Sequence, residues 1–314
     1  MRYGISSGRI GRTVLLLILG LMHGVALAWG PVGHRAVGAV ADDLLSPAAR
    51  AQLADLLADD RDREGQPSNR HSLAEIADWA DEIRGTPADH PHWHYDNRPV
   101  CDEPSAARSW CAHGECASAA FSEQLSVLSD PHRGRAERNE ALKWVVHLAG
   151  DLHQPLHAAD LAEGGNRIRV DGNGRSGFRA GGATEHHDNR ERHGGASLHS
   201  YWDSHLVGMA LHPEDGVIPA QSLQLLREDA REFDTARVAA PPEQWALESN
   251  EIARRFAMKL DGITCDTGAS HEDISAVHLP RDYLRHGVLI VEARLALAGA
   301  RLAYVLNHTL GEQR

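Results

Sequence analysis

The sequence has too few basic residues to bind nucleic acid over its whole surface. Its 314 residues contain 32 Lys and Arg against 44 Asp and Glu, a formal net charge of -12 at pH 7. Proteins that hold polyanions non-specifically do so through surfaces rich in Lys and Arg. The composition therefore argues against non-specific polyanion binding, and any positive charge that handles a phosphate must be local.

The sequence also lacks an internal repeat and a linker. No segment rich in Pro, Ser and Gly separates the chain into two halves. A chain of this length can form one large domain or two. Because nothing marks a boundary, we expect a single domain over residues 29–314.

One long uncharged apolar run is present, at the N-terminus. It follows three arginines and closes on Ala26 and Ala28, the small residues that a signal peptidase requires. A membrane anchor is the alternative, but the run is short for a span. We expect a signal peptide of residues 1–28, cleaved before Trp29. Its loss removes those three arginines and no acidic residue, so the formal charge changes from -12 to -15.

Cysteine is scarce, and its spacing does not suit a zinc site. The four cysteines, Cys101, Cys111, Cys116 and Cys265, lack the paired short spacings of zinc-thiolate sites. Disulfides are favoured in an exported chain. Three pairings are possible. Easy closure of a short loop favours Cys111 with Cys116, which leaves Cys101 with Cys265.

Helical periodicity covers most of the chain after residue 28. Apolar residues recur at three- and four-residue spacings in "HRAVGAVADDLLSPAARAQLADLLA", "SLAEIADWADEIR", "NEALKWVVHLAGDLH" and "LRHGVLIVEARLALAGARLAYVLNHTL". Ser46 and Pro47 predict a break, since serine caps helices and proline starts them. "NRIRV" predicts a short strand. We expect an all-α fold, one mostly helical domain with a short β-hairpin region.

Residues 171–195 predict a loop, because they contain many glycines and no apolar period. The loop holds His186, His187 and His193, which are candidate metal ligands. Solvated histidines are the favoured interpretation, because no carboxylate or helical register fixes them.

Histidine is abundant, with 21 residues, and two His/Asp pairs have the spacing of metal ligands. His147 and Asp151 are four residues apart on a predicted helix, so their side chains share one face. His199 and Asp203 repeat this spacing, and His157 follows the first pair. Apolar neighbours place both pairs inward, where a metal would satisfy a buried carboxylate. A structural hydrogen-bonded pair is the alternative.

Several motifs, taken in order, resemble one family. They are "WGPVGH", "ADWADEIR", "HWHYDN", "HLAGDLHQPLH" followed by "GGNRIRV", and "LHSYWD". The ordered set is similar to the zinc-dependent single-strand nucleases of fungi, plants and bacteria, the S1/P1 nuclease family. The resemblance implies a fold of the phospholipase C / nuclease P1 type with a trinuclear zinc cleft.

The resemblance also implies a ligand set of imidazoles and carboxylates, which suits zinc. The ligands are Asp81, His94, His147 and Asp151 for one ion, His157, His199 and Asp203 for a second, and Trp29, His34 and the shared Asp151 for the third. Trp29 would bind through its free α-amino group and carbonyl, so removal of the signal peptide would create a ligand. Gly30 and Gly33 would let the backbone approach an ion.

Three further residues receive roles from the resemblance. Asp81 would orient the attacking hydroxide, Arg84 would stabilise charge on the phosphoryl oxygens, and Tyr95 would stack on an unpaired base. From the residues alone, Arg84 is a solvated arginine, and a buried core tyrosine is the alternative for Tyr95. The implied reaction is hydrolysis of single-stranded DNA and RNA to 5′-phosphorylated products, with 3′-nucleotidase activity as an option.

Three divalent ions against three ligand carboxylates would give a local positive surplus inside an acidic protein. We expect a secreted or periplasmic monomer with no stable protein partner and no membrane contact after cleavage. One alternative is a zinc-dependent phospholipase C, which ends its ligand set with glutamate where this chain has Asp203. Another is an exported zinc-binding protein without catalysis, which would need no Arg84.

Overall fold

The computed structural model describes residues 29–101, 110–171, 196–267 and 274–311. Within these residues the chain is mostly helical, which confirms the predicted all-α class. The predicted signal peptide lies outside them, as do His186, His187 and His193 of the predicted loop.

The α-helices of the described residues range from single turns to a helix of 31 residues. In chain order they are α1 (Pro31–Leu44), α2 (Pro47–Leu57), α3 (Leu73–Ile76), α4 (Trp79–Glu82), α5 (Ala117–Ser129), α6 (Arg135–Asp151), α7 (Leu198–Ser200), α8 (Val207–Leu211), α9 (Ala220–Glu232), α10 (Thr235–Val238), α11 (Pro242–Ile252) and α12 (Arg281–Gly311). Short 3-10 helices cover Pro91–His94, Ala112–Gly114 and Pro155–Ala158. Two π-helical turns cover Tyr201–Leu206 and Ala253–Ala257.

The long helix α12 is the centre of the packing. It lies against α1, α2, α6, α8 and α9 and buries an apolar face on them. Gly299 permits the closest approach, because a Cβ there would lie 2.5 Å from the Val40 side chain of α1. The break between α1 and α2 falls where it was predicted. The Ser46 hydroxyl accepts a hydrogen bond from the Ala49 N–H at 3.2 Å, and Pro47 is the first residue of α2.

The predicted β-hairpin region is wrong. The strand β1 (Ile168–Val170) pairs with β2 (Ile274–Val277), but the two run parallel, with Ile168 opposite Ile274. Parallel strands cannot be joined by a tight turn, and here more than a hundred residues of the chain separate them. The sequence of "NRIRV" predicted the strand correctly but contained no signal for a partner so far along the chain.

Two disulfides are present, with the pairing that was expected. Cys101 bonds to Cys265 with a Cα–Cα distance of 5.6 Å, and Cys111 bonds to Cys116 at 5.1 Å. Both distances are normal for disulfides. Among the described residues, no helix is both long and apolar enough to cross a membrane.

Candidate metal centre

The C-terminal end of α6 forms the floor of a buried cluster of histidines and aspartates. His147 and Asp151 are fully buried and face the same way, with His147 Nε2 3.3 Å from Asp151 Oδ2. The His147 Nδ1–H donates to the carbonyl of Ala77 at 2.8 Å. This bond fixes the orientation of the ring, so that Nε2 faces the carboxylate.

The helix predicted over "SLAEIADWADEIR" is divided into α3 and α4. The N–H of Asp81 bonds to the carbonyl of Asp78 at 3.1 Å, which leaves the Ala77 carbonyl for His147. The bond to His147 therefore accounts for the interruption. Arg84 lies in a turn after α4, and its Nε still donates to Asp81 Oδ1 at 2.7 Å.

Asp151 is the point where the cluster converges. Its Oδ2 lies 3.0 Å from His94 Nδ1, and its Oδ1 lies 3.4 Å from His34 Nε2 and 3.8 Å from His157 Nδ1. These histidines belong to different segments: His94 ends a 3-10 helix, His34 is in the first turn of α1, and His157 follows α6. Asp81 Oδ1 lies 3.8 Å from His147 Nε2. One carboxylate is thus surrounded by imidazoles from four segments.

A second group consists of His157, His199 and Asp203. The Nδ1–H groups of His157 and His199 donate to the carbonyls of His94 and Gly164, each at 2.7 Å. Their Nε2 atoms, which therefore carry lone pairs, lie only 3.2 Å apart. Asp203 Oδ2 is 3.4 Å from His199 Nε2. Two lone pairs at this distance repel, and a cation between them would turn the repulsion into coordination.

Asp203 does not lie on a regular α-helix as its spacing predicted. It belongs to the π-helical turn Tyr201–Leu206 between α7 and α8. Such turns insert one extra residue into a helix and are frequent at functional sites. The turn sets the direction of the Asp203 side chain relative to His199.

The N-terminal segment packs against this turn. Trp29 is fully buried, and the Gly30 N–H donates to the carbonyl of Asp203 at 2.9 Å. A Cβ on Gly33 would lie 2.8 Å from the Cβ of Trp29. The two glycines therefore let the N-terminal backbone pack closely against the Asp203 backbone and the Trp29 side chain.

Burial and the two central carboxylates set the protonation of the imidazoles. Burial lowers the pKa of His157 to about 3 and that of His199 to about 4, so both are neutral at pH 7, the form that binds a metal. Burial alone would also lower the pKa of His147, but the charges of Asp151 and Asp81 raise it to about 9. The position between these carboxylates thus favours a positive charge.

Asp203 is a buried carboxylate without a cationic side chain in hydrogen-bond contact among the described residues. Burial raises its pKa well above the usual value, and a hydrogen bond from Gln154 offsets only part of this effect. An uncompensated buried carboxylate is costly, and a bound cation would remove that cost.

Gln154 is a site residue that sequence reasoning missed. It is fully buried, its Nε2 donates to Asp203 Oδ1 at 2.6 Å, and its Oε1 accepts from the Leu156 N–H. The side chain thereby fixes the carboxylate so that Oδ2 faces His199. Gln154 lies within the motif "HLAGDLHQPLH", but it contacts Asp203, which belongs to another motif. Spacing alone could therefore not assign its role.

Arg84 and Tyr95 lie at the edge of the cluster. The Arg84 side chain is 14% exposed, and its guanidinium reaches the Tyr95 hydroxyl as well as Asp81. The partly exposed Tyr95 ring lies 4.8 Å from the His157 ring, centroid to centroid. Arg84 is therefore not a solvated arginine away from the site, and Tyr95 is not a core tyrosine.

His153 lies outside the cluster and supports the segment beside it. Its Nδ1–H donates to the Ala149 carbonyl at 2.7 Å, and its Nε2 accepts from Arg301 at 3.0 Å. Arg301 and Arg294 of α12 both pair with Glu248 of α11 at 2.8 and 2.9 Å. Arg294 also donates to the His153 carbonyl, so this buried network holds the chain that joins Asp151 to His157.

Comparisons with known proteins matched one family model and several relatives. The model of the family "S1/P1 Nuclease" matches residues 29–311. Nuclease P1 of Penicillium citrinum is 27% identical over 91% of this chain and 99% of its own length. Nuclease S1 of Aspergillus oryzae is 28% identical over 89% of this chain and 91% of its own, and Endonuclease 5 of Arabidopsis thaliana is 27% identical over 93% and 94%.

Proposed function

The chain belongs to the S1/P1 nuclease family and hydrolyses phosphodiester bonds, and we propose that it is an exported, zinc-dependent enzyme that cleaves single-stranded nucleic acid. The observation that carries the zinc assignment is the pair of neutral imidazoles whose Nε2 atoms face each other at 3.2 Å beside Asp203. Nitrogen and carboxylate donors in this combination suit zinc better than calcium or magnesium.

Buried atoms without partners support the same assignment. His34 Nε2, Asp81 Oδ2 and Asp151 Oδ1 are all buried and have no hydrogen-bond partner. Buried polar atoms are normally satisfied, so orphaned atoms in one cluster indicate a missing ligand. Three residue groups have donor atoms close enough for one ion each: His34, Asp81 and His147; His94, His147 and Asp151; and His157, His199 and Asp203.

The proposed ligand set for about three zinc ions consists of these residues and Trp29. The hydrogen bond from Gly30 to Asp203 keeps the backbone of Trp29 beside the second group. Signal cleavage before Trp29 would free an α-amino group there. When bound, the zinc ions would lower the pKa of water and neutralise charge on the phosphoryl oxygens.

The side chains at the edge have distinct tasks. Arg84 holds Asp81 Oδ1, and Asp81 would orient the attacking hydroxide. The Arg84 guanidinium would stabilise the charge that develops on a phosphoryl oxygen. Departure of the 3′-oxygen would leave 5′-phosphorylated products. We place the enzyme outside the cytoplasm as a monomer, in keeping with its two disulfides.

Substrate tests on one purified sample distinguish the proposed activity from its rivals. We expect cleavage of single-stranded DNA and RNA, slow cleavage of duplex DNA and no hydrolysis of phosphatidylcholine. Chelation should abolish cleavage, and added zinc should restore it. Preference for phosphatidylcholine would identify a phospholipase C, and full activity after complete removal of metal would refute zinc dependence.

Tyr95 supplies a test of single-strand recognition. Stacking of a base on an aromatic ring contributes about 1–3 kcal/mol. Tyr95→Ala should therefore raise KM for a single-stranded oligonucleotide by about 5- to 150-fold. Tyr95→Phe keeps the ring and should change KM by less than about threefold. Equal KM values for the two variants would show that the ring does not stack on substrate.

Gln154 supplies a test of metal positioning. Residues that hydrogen-bond to a metal ligand typically change the affinity for the metal by about 10- to 100-fold. Gln154→Leu should therefore weaken zinc binding by about that factor, measured by competition with a chromogenic chelator. Gln224→Leu is the matched control, because Gln224 also donates to a carboxylate, that of Glu228 at 2.7 Å, but on an exposed surface. If both variants bind zinc equally, Gln154 has no role in orienting Asp203.

A further inference from the structure

The cluster around Asp151 and the second group of ligands are joined by one short stretch of chain. Asp151 ends α6, and His157 follows six residues later and belongs to the second group. We call residues 152–158 the link. Every residue of the link is buried. The path of the link therefore sets where the imidazole of His157 lies relative to the carboxylate of Asp151.

Two neighbouring side chains of α11 hold the two ends of the link. The Ser249 hydroxyl donates to the carbonyl of Leu152 at 2.6 Å, and the Asn250 amide donates to the carbonyl of Ala158 at 2.8 Å. Ser249 and Asn250 are themselves buried. Buried carbonyls need a hydrogen-bond partner, and here a distant helix supplies it at both ends. The backbone of the link is thus bound to α11.

The middle of the link is held from α12. Arg294 Nε donates to the carbonyl of His153 at 3.1 Å, and Arg294 Nη2 donates to the Ser249 hydroxyl at 2.7 Å. The second bond uses a lone pair of Ser249 Oγ, so the hydroxyl hydrogen remains for the carbonyl of Leu152. Arg294 and Ser249 therefore act together on two successive carbonyls of the link.

Asn250 also binds the segment that follows His94. Its amide donates to the carbonyl of Arg98 at 3.3 Å in addition to its bond to the link. In the same segment, the Asp96 N–H donates to the carbonyl of His157 at 2.8 Å. The segment after His94 is therefore bonded to the link directly and through Asn250. One asparagine thus binds the backbone beside ligands of both groups.

We propose that Ser249 and Asn250 are positioning residues of the nuclease, which keep His157 in a fixed place relative to Asp151. Neither side chain is a proposed ligand, and each acts through the backbone of the link. This inference rests on the proposed function as a zinc-dependent nuclease. Displacement of a catalytic group by about 1 Å can lower a rate by about a hundredfold. Loss of either side chain should therefore lower kcat and zinc affinity more than it changes substrate binding.

The first test measures the link itself, by amide hydrogen exchange and mass spectrometry on the zinc-loaded protein. The variants are Ser249→Ala and Asn250→Ala, each compared with the parent protein. The N–H groups of Gln154 and His157 are hydrogen-bonded in this region, so their exchange measures opening of the link. Peptides covering residues 152–158 should exchange about tenfold faster in each variant. Peptides from α2 should exchange as in the parent.

The second test separates kcat from KM for a single-stranded oligonucleotide. In Ser249→Ala, kcat should fall by about 10- to 100-fold, because the ligands lose their alignment. KM should stay within about threefold, because Tyr95 and Arg84 keep their contacts. Zinc affinity, measured by competition with a chromogenic chelator, should fall by about tenfold. Asn250→Ala should show the same losses in kcat and zinc affinity.

Two control variants remove hydrogen bonds of the same kind elsewhere in the fold. The Ser222 hydroxyl donates to the carbonyl of Leu211 at 2.9 Å, and the Asn307 amide donates to the carbonyl of Leu44 at 3.1 Å. Ser222→Ala and Asn307→Ala therefore match the two link variants in chemistry but lie outside the metal centre. Both controls should leave exchange of the link, zinc affinity and kcat within about twofold of the parent.

Two results would overturn this proposal, and a third would refute the proposed function instead. Unchanged exchange of the link in the variants would show that Ser249 and Asn250 do not hold it. Faster exchange with kcat and zinc affinity no lower than in the controls would show that these bonds serve only the fold. Ser249→Ala removes a single hydroxyl, so it decides between these results even if Asn250→Ala does not fold. A parent protein that cleaves no single-stranded nucleic acid would refute the proposed function.

Discussion

Asp151→Asn should reduce nuclease activity by at least about a hundredfold and lower the zinc content of the protein. The substitution keeps the size of the side chain but removes the charge that faces three imidazoles, those of His34, His94 and His147. Because the residue is proposed to bridge two ions, both should bind more weakly. Steady-state kinetics and elemental analysis measure the two effects on the same sample.

The matched control is Asp60→Asn, which removes another buried carboxylate from a close contact. Asp60 accepts from Lys143 at 2.9 Å and has no part in the metal centre. This variant should lower the melting temperature, because it leaves a buried ammonium without its ion-pair partner, while zinc content stays unchanged. His153→Ala would be a poor control, since His153 belongs to the buried Arg301 network. Equal zinc content in the two aspartate variants would show that Asp151 is not a ligand.

A chain that retains one alanine before Trp29 should lose most of its activity while still folding. Trp29 is buried next to the Asp203 turn, so an added residue would place an amide where the α-amino group is proposed to bind zinc. An amide nitrogen has no lone pair to donate at neutral pH. The helical core and both disulfides are distant from this change in sequence, so the melting transition should remain cooperative.

The comparison requires two preparations, one starting at Trp29 and one starting at the added alanine. We expect zinc content to fall from about three to about two ions per chain and kcat to fall by at least about a hundredfold. KM should change less, because Tyr95 and the other ligand groups are intact. Equal kcat values would show that the terminal amine of Trp29 is not needed for catalysis.

The fold was predictable from the sequence where local signals decide it. Ser46 and Pro47 mark a helix break by capping chemistry alone, and the helix that carries His147 and Asp151 follows from periodicity. The pairing of β1 with β2 was not predictable, because it depends on contacts between distant segments. The division of α3 from α4 was missed for a similar reason, since His147 takes the Ala77 carbonyl.

The site was predictable to the extent that residue types and motif order define it. The structure brings together His34, His94 and Asp151 from three separate motifs, as the resemblance implied. Residue spacing could not predict how the ligand side chains are held in position. The hydrogen bond from Gln154 to Asp203 and the π-helical turn are properties of the packed molecule.

Anomalous diffraction at the zinc edge, from crystals of the chain starting at Trp29, would locate the bound ions. We expect three zinc peaks: one among Asp81, His94, His147 and Asp151, one among His157, His199 and Asp203, and one beside His34 and the N-terminus. The absence of a zinc peak at His157, His199 and Asp203 in an active preparation would refute the zinc assignment, because the two facing imidazoles would then lack the cation on which the assignment rests.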